Sequence, residues 1–230
     1  MTSAAALRLP AAPGMSLPLD GSVRYVTMGE HPAVEISPGR TVATVDLYDL
    51  ESALADGVRG LMFSLGCDQV FLERRRAPLE QFVRGGGRVV VNGHVLRPFL
   101  PGLAPWRAVD HHGPADLRIV PVNPHPVWED VDHDELLFRT GVPGTPVGEE
   151  LARVGVAGFY GRGYHAFVPD GGTVINAIGP YRLPVDVLYP LGEGAVLSHA
   201  GNDLHSFCDP GRSTRNLGPR LLDWLKGSLT

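Results

Sequence analysis

The chain has 230 residues, 43% of them hydrophobic and 20% charged, with a formal charge of −5 at pH 7; this is the make-up of a globular protein long enough to bury a sizeable core. The negative balance argues against nucleic acid as a partner, because affinity for phosphate backbones comes from clustered Lys and Arg. No segment approaches the roughly 18 apolar residues that span a bilayer, so no membrane partner is expected, and the two cysteines, Cys67 and Cys208, fit a reduced cytoplasmic setting better than a disulfide scaffold.

Residues 1–20 are rich in Ala, Leu and Pro and read as a flexible N-terminal arm ahead of a single domain over 21–230. They lack the basic start of a secretion signal, and Pro10 and Pro13 interrupt the apolar run such a signal needs. Residues 23–28 and 41–47 read as strands, the second β-branched and alternating. A short helix follows from Asp49 and stops at Gly57. Residues 58–65 form a buried strand that ends at Gly66, Cys67, Asp68 and Gln69. A helix over 70–83 places Leu72, Leu79, Phe82 and Val83 on one face, with Pro78 as its kink or restart; Arg74, Arg75 and Arg76 lie on its solvated side. Gly85, Gly86 and Gly87 supply the positive φ that ends a helix. Val89, Val90 and Val91 form the unbroken β-branched run of a strand covered on both faces. That strand breaks at Asn92, Gly93 and His94, at the carboxyl edge where open α/β sheets bind ligands.

Beyond Arg97 the chain turns rich in Pro, Gly and His, with a short strand at 117–122, a turn-rich loop at 140–149, and hairpin-like runs at 157–165, 172–178, 185–189 and 194–199. A helix over 217–229 closes it, with Pro219 in its first turn. His94 and His199 each follow an apolar strand. They form a metal pair, an acid/base pair, or two local strand-end anchors, with Asp68, Asp203 and His205 as third partners. Between adjacent glycines, Arg162 either marks a tight hairpin with an exposed arginine or suits a carboxylate or phosphate, with Tyr160 and Tyr164 suited to a sugar face. His125, between two prolines, reads as a packing or capping residue, and His133 as part of a solvated acidic run. The chain contains neither a dinucleotide-binding nor a P-loop glycine pattern, so no cofactor is expected, a divalent metal being the one alternative. Oligomeric state has no motif behind it, and a homo-oligomer is left open.

The segments 56–64, 79–94, 125–130 and 191–203, in that order, resemble the class I glutamine amidotransferase-like superfamily, and within it the ThuA-like branch associated with sugar utilisation. The resemblance implies a flavodoxin-like three-layer α/β sandwich with a mostly parallel central sheet and a β-rich, loop-rich C-terminal half. It also implies a cysteine nucleophile in the turn after the elbow strand, working with a late His and acid. Here that turn reads Asn92, Gly93, His94, with no thiol or hydroxyl, so glutamine hydrolysis by that route is excluded. His199 and Asp203 fall near the family's late His and acid, and the ThuA-like branch, which also lacks the cysteine, often has a His where His94 stands. Cys67, beside Asp68, is a poor substitute nucleophile, because a neighbouring carboxylate raises a thiol pKa.

The expected protein holds a small polar, carbohydrate-like ligand in a carboxyl-edge cleft built by Cys67, Gln69, Asn92, Gly93, Asn202, Arg162 and Tyr164. The alternative is a hydrolase or isomerase in which His94 and His199 exchange protons while Asp68 or Asp203 orients one imidazole, with or without a metal.

Overall fold

The computed structural model describes residues 20–29, 31–54 and 57–229; apart from Asp20, the arm expected at 1–20 lies outside the described residues. The first half comprises β1 (Asp20–Thr27), β2 (Val34–Ser37), β3 (Arg40–Asp46), α1 (Leu50–Ala53), β4 (Gly60–Phe63), α2 (Gln69–Arg74), α3 (Arg76–Arg84), β5 (Arg88–Asn92), β6 (Trp106–Ala108) and β7 (Ile119–Pro121). The second comprises β8 (Phe138–Arg139), α4 (Gly148–Val154), β9 (Gly158–Phe159), β10 (Gly163–His165), β11 (Thr173–Ile178), β12 (Leu183–Leu191), β13 (Gly194–His199) and α5 (Leu217–Leu225), with short 3-10 turns between elements. Among the described residues no helix is long and apolar enough to cross a membrane.

Nine strands form one sheet in the order β2-β3-β1-β4-β5-β13-β12-β11-β7. Its centre, β3-β1-β4-β5-β13, is parallel throughout. Outside that block β2, β12 and β7 run the other way, while β11 is antiparallel to β12 and so points with the centre. The protein is therefore a mixed α/β fold around a large, mostly parallel sheet. Two small hairpin sheets, β6 with β10 and β8 with β9, lie outside it.

Alternation along the central strands feeds a core on each face. Val89 and Val91 of β5, with Leu61 and Phe63 of β4, join Leu50, Leu72, Leu79 and Val83 of α1 to α3. Val90 and Met62 point the opposite way, to Leu221, Leu222 and Leu225 of α5. Val89, Val90 and Val91 are 0–2% exposed, and burial on that scale contributes about 1.5–3 kcal/mol per side chain.

The single helix expected over 70–83 is two, broken at Arg75. Pro78 therefore sits in the first turn of α3, where its missing N–H breaks no helical bond. The expected C-terminal helix stops at Leu225 rather than 229, because Gly227 (φ +81°) turns the chain out. α4 starts at the end of the loop expected over 140–149 and runs five residues past it; it buries no residue, so it leaves no apolar period to read.

Candidate functional site

A row of polar side chains crosses the otherwise apolar sheet. Register places Asn176 of β11 beside Asp186 of β12, Asp186 beside His199 of β13, and His199 beside Asn92 of β5. All four are 0–4% exposed, so each needs a protein partner. Asp186 is the hub. Its Oδ1 accepts from His199 Nδ1 at 2.6 Å, and its Oδ2 accepts from Tyr160 Oη at 2.7 Å and from Asn176 Nδ2 at 2.8 Å. Tyr160 in turn accepts from Trp128 Nε1 at 3.1 Å, and the oxygen of Asn176 meets His133 Nε2 at 2.8 Å. Burial, followed by the Asp186 charge, pushes the Tyr160 hydroxyl pKa up, so the phenol is a donor and stays one.

His199 donates from Nδ1 to Asp186, and its Nε2 has no partner among the described residues. That is the arrangement of a general base held by a carboxylate. The ring is wholly enclosed, however. It stands edge-on to Tyr160 at 4.6 Å, and a β-carbon at Gly201 would lie 2.6 Å from Nε2. Glycine is what lets the chain pass here, and the same close passage seals the nitrogen from solvent.

The residues expected to line a carboxyl-edge cleft are brought to that edge, but most of their polar atoms are engaged by the fold. Asp68 caps α2, accepting from Val70 N at 2.9 Å and Phe71 N at 3.2 Å. Gln69 clamps the loop after β5, donating to His94 O at 2.7 Å and accepting from Leu96 N at 2.8 Å and Arg97 N at 2.9 Å. Asn92 donates to Phe63 O and accepts from Leu204 N, at 2.8 and 3.1 Å. Gly93 adopts φ +96°, and a β-carbon there would lie 2.8 Å from Leu65 Cα. Asn202 donates to Phe159 O at 2.8 Å. Asp203 accepts from Tyr25 Oη at 3.0 Å and Leu65 N at 2.9 Å. Cys67 meets Val26 O at 3.4 Å; burial, then the Asp203 charge, pushes its thiol up to about 12.

Two corrections follow. The acid that orients His199 is Asp186, not Asp68 or Asp203, whose carboxylates are committed to backbone N–H groups and a tyrosine. His94 and His199 also do not converge as an acid/base pair. Their backbones are neighbours, Gly93 N donating to His199 O at 3.0 Å, but one ring is exposed and the other enclosed. His94 instead stacks on Trp106, with centroids 3.9 Å apart and planes 22° apart; partial burial lowers its pKa. Arg162 extends over the Phe159 ring at 4.8 Å with its surface exposed, and Tyr164 is half-buried on β10, whose next residue, His165, pairs with Trp106. His205, the other third partner, stands edge-on to Tyr25 at 5.1 Å. Among the described residues no three His, Cys, Asp or Glu side chains are grouped so as to hold a metal ion.

Sequence reasoning missed Asp186 and Asn176, although a signal was present. A lone carboxylate between Val185 and Val187, in a run otherwise fit for a strand interior, is a charge that burial must pair. His133, read as part of a solvated acidic run, is instead tied to the buried row. His125 caps a turn as expected, its Nδ1 accepting from Val127 N at 3.2 Å.

No family model matches the sequence, and no curated protein matches it. Solved structures do share the fold. Cytoplasmic protein STM3548 from Salmonella typhimurium is 12% identical with a TM-score of 0.54, the match covering 90% of this chain and 98% of that one. The β-galactosidase from Rahnella sp. R3 is 10% identical with a TM-score of 0.52, over 90% of this chain but 32% of the galactosidase. This chain thus spans about a third of the enzyme's length, and at such identities the likeness is one of fold alone.

Proposed function

We propose that the protein is a glutamine amidotransferase-like domain of the ThuA-like branch, a flavodoxin-like three-layer sandwich working in the cytoplasm, that has no glutaminase activity and binds a small polar, carbohydrate-like ligand at the carboxyl edge of its sheet. The observation that carries this reading is the exposed His94 ring stacked on Trp106, directly after the elbow strand. Such a ring pair offers a flat apolar face to the C–H face of a sugar ring, and the Arg162 guanidinium and the Tyr164 hydroxyl are polar groups suited to the sugar's oxygens. Gly93 supports the absence of glutaminase chemistry, since its packing on Leu65 leaves no room for a nucleophilic side chain. The acid/base alternative now rests on His199 with Asp186. It draws support from the unpartnered Nε2, but an enclosed nitrogen is out of a substrate's reach, and binding is the reading preferred.

A thermal-shift screen of monosaccharides, sugar lactones, amino acids and phosphates tests it. A sugar at a hundredfold excess over its Kd stabilises by about 2.7 kcal/mol. The expected result is a shift with a sugar that His94→Ala abolishes without changing the melting temperature of the free protein. No shift with any sugar, or ammonia released from glutamine, overturns the reading.

A further inference from the structure

A cavity of about 710 Å³ lies away from the carboxyl-edge residues, against the antiparallel wing of the sheet. Its volume falls within the range of small-molecule sites. Pro121, Pro124, Pro126, Leu229 and Trp128 give it apolar, largely rigid walls. The buried polar side chains in the lining are mostly engaged elsewhere. Trp128 Nε1 donates to Tyr160, and Asn176 is used at both ends, by Asp186 and His133. His125 differs. The residue is 9% exposed and lines the cavity. Nδ1 accepts from Val127 N–H, which puts the ring hydrogen of the neutral imidazole on Nε2, and that Nε2–H has no partner among the described residues. At the rim the exposed Glu129 carboxylate shares Arg220 with Asp130, at 3.1 and 3.2 Å.

We propose that this cavity is a second binding site, separate from the carboxyl edge, for an uncharged small molecule with an apolar body and one carbonyl-type acceptor, which receives the hydrogen of His125 Nε2. The apolar walls supply burial and the open His125 donor supplies orientation. Burial also holds His125 at a pKa of about 4, so near pH 7 the donor is a neutral imidazole and favours a neutral acceptor. Nothing in this assignment depends on the sugar reading of the carboxyl edge.

The test uses the full chain and two probes of one shape: coumarin, which carries a lactone carbonyl, and naphthalene, which carries no acceptor. Binding is measured by calorimetry at pH 7, with the His125 ring signals followed by NMR. The expected result is saturable coumarin binding that moves the His125 Nε2–H signal and weakens about five- to tenfold in His125→Phe, the size of one lost hydrogen bond. Naphthalene affinity should be the same in both proteins. Because His125→Phe also removes the acceptor for Val127 N–H, a second variant, Val122→Trp, fills the cavity from its partly exposed wall and should abolish coumarin binding with His125 intact. Absence of saturable coumarin binding, equal affinity in His125→Phe, or binding retained in Val122→Trp would each overturn the assignment.

Discussion

His199 and Asp186 occupy paired positions on β13 and β12, and their side chains meet at 2.6 Å with neither exposed to solvent. The carboxylate also holds Tyr160 and Asn176, so it joins three strands and a loop through one buried charge. Asp186→Ala leaves three buried donors unpaired and is expected to lower the unfolding free energy by about 3–5 kcal/mol. Urea denaturation of the variant measures it directly. A loss below about 1 kcal/mol would mean that the network is no more than an ordinary hydrogen bond.

His125 gives the fold a pH dependence whose sign is set by burial. Desolvation lowers its pKa from 6.5 to about 4. Between those values the unfolded chain takes up a proton that the folded chain refuses, so stability is complete above 6.5 and falls as pH drops toward 4. Burial lowers His94, His165 and His205 as well, and they add to the same trend. Urea midpoints followed from pH 7 down to pH 5 should fall for the wild type and fall less for His125→Phe. Parallel curves for the two proteins would remove His125 as a cause.

Gly93 combines a positive φ with a close approach to Leu65. Gly93→Ala is expected to cost about 1–3 kcal/mol from the backbone conformation alone, with displacement of the Leu65 loop added. Thermal and urea unfolding both read this out. An Ala variant as stable as the wild type would show that the loop yields freely, and that the turn has room for a side chain after all.

Cys67 should be inert. With its thiol held near 12, about one molecule in 10⁴ is a thiolate at pH 8. Iodoacetamide followed by peptide mass spectrometry is expected to leave Cys67 unmodified in the native protein while labelling it fully after denaturation. Rapid native labelling would expose a reactive thiol at the carboxyl edge and reopen nucleophilic chemistry there.

Several of these features were legible in the sequence because their causes are local. The valine run of β5 announces a strand covered on both faces. The glycines before it announce the helix stop, with Gly86 at φ +102°. The turn Asn92, Gly93, His94 shows by residue type alone that it carries no thiol or hydroxyl. The strand-end placement of His94 and His199 was legible too, since each closes an apolar run.

What those strand-end residues do was decided by tertiary structure. Asp203 is bound to Tyr25 and Leu65, 178 and 138 residues away in the chain, and Asn92 to Leu204 at a separation of 112. No pattern along the sequence encodes such meetings. The partner of His199 shows the difference most clearly. Asp203 lies four positions from it and Asp186 thirteen, yet the β12–β13 register puts Asp186 directly alongside and leads Asp203 off to another strand. Residue types settled which side chains the turn after β5 lacks. Strand register, which aligns side chains across a sheet irrespective of their spacing along the chain, settled which groups came together and which were left open.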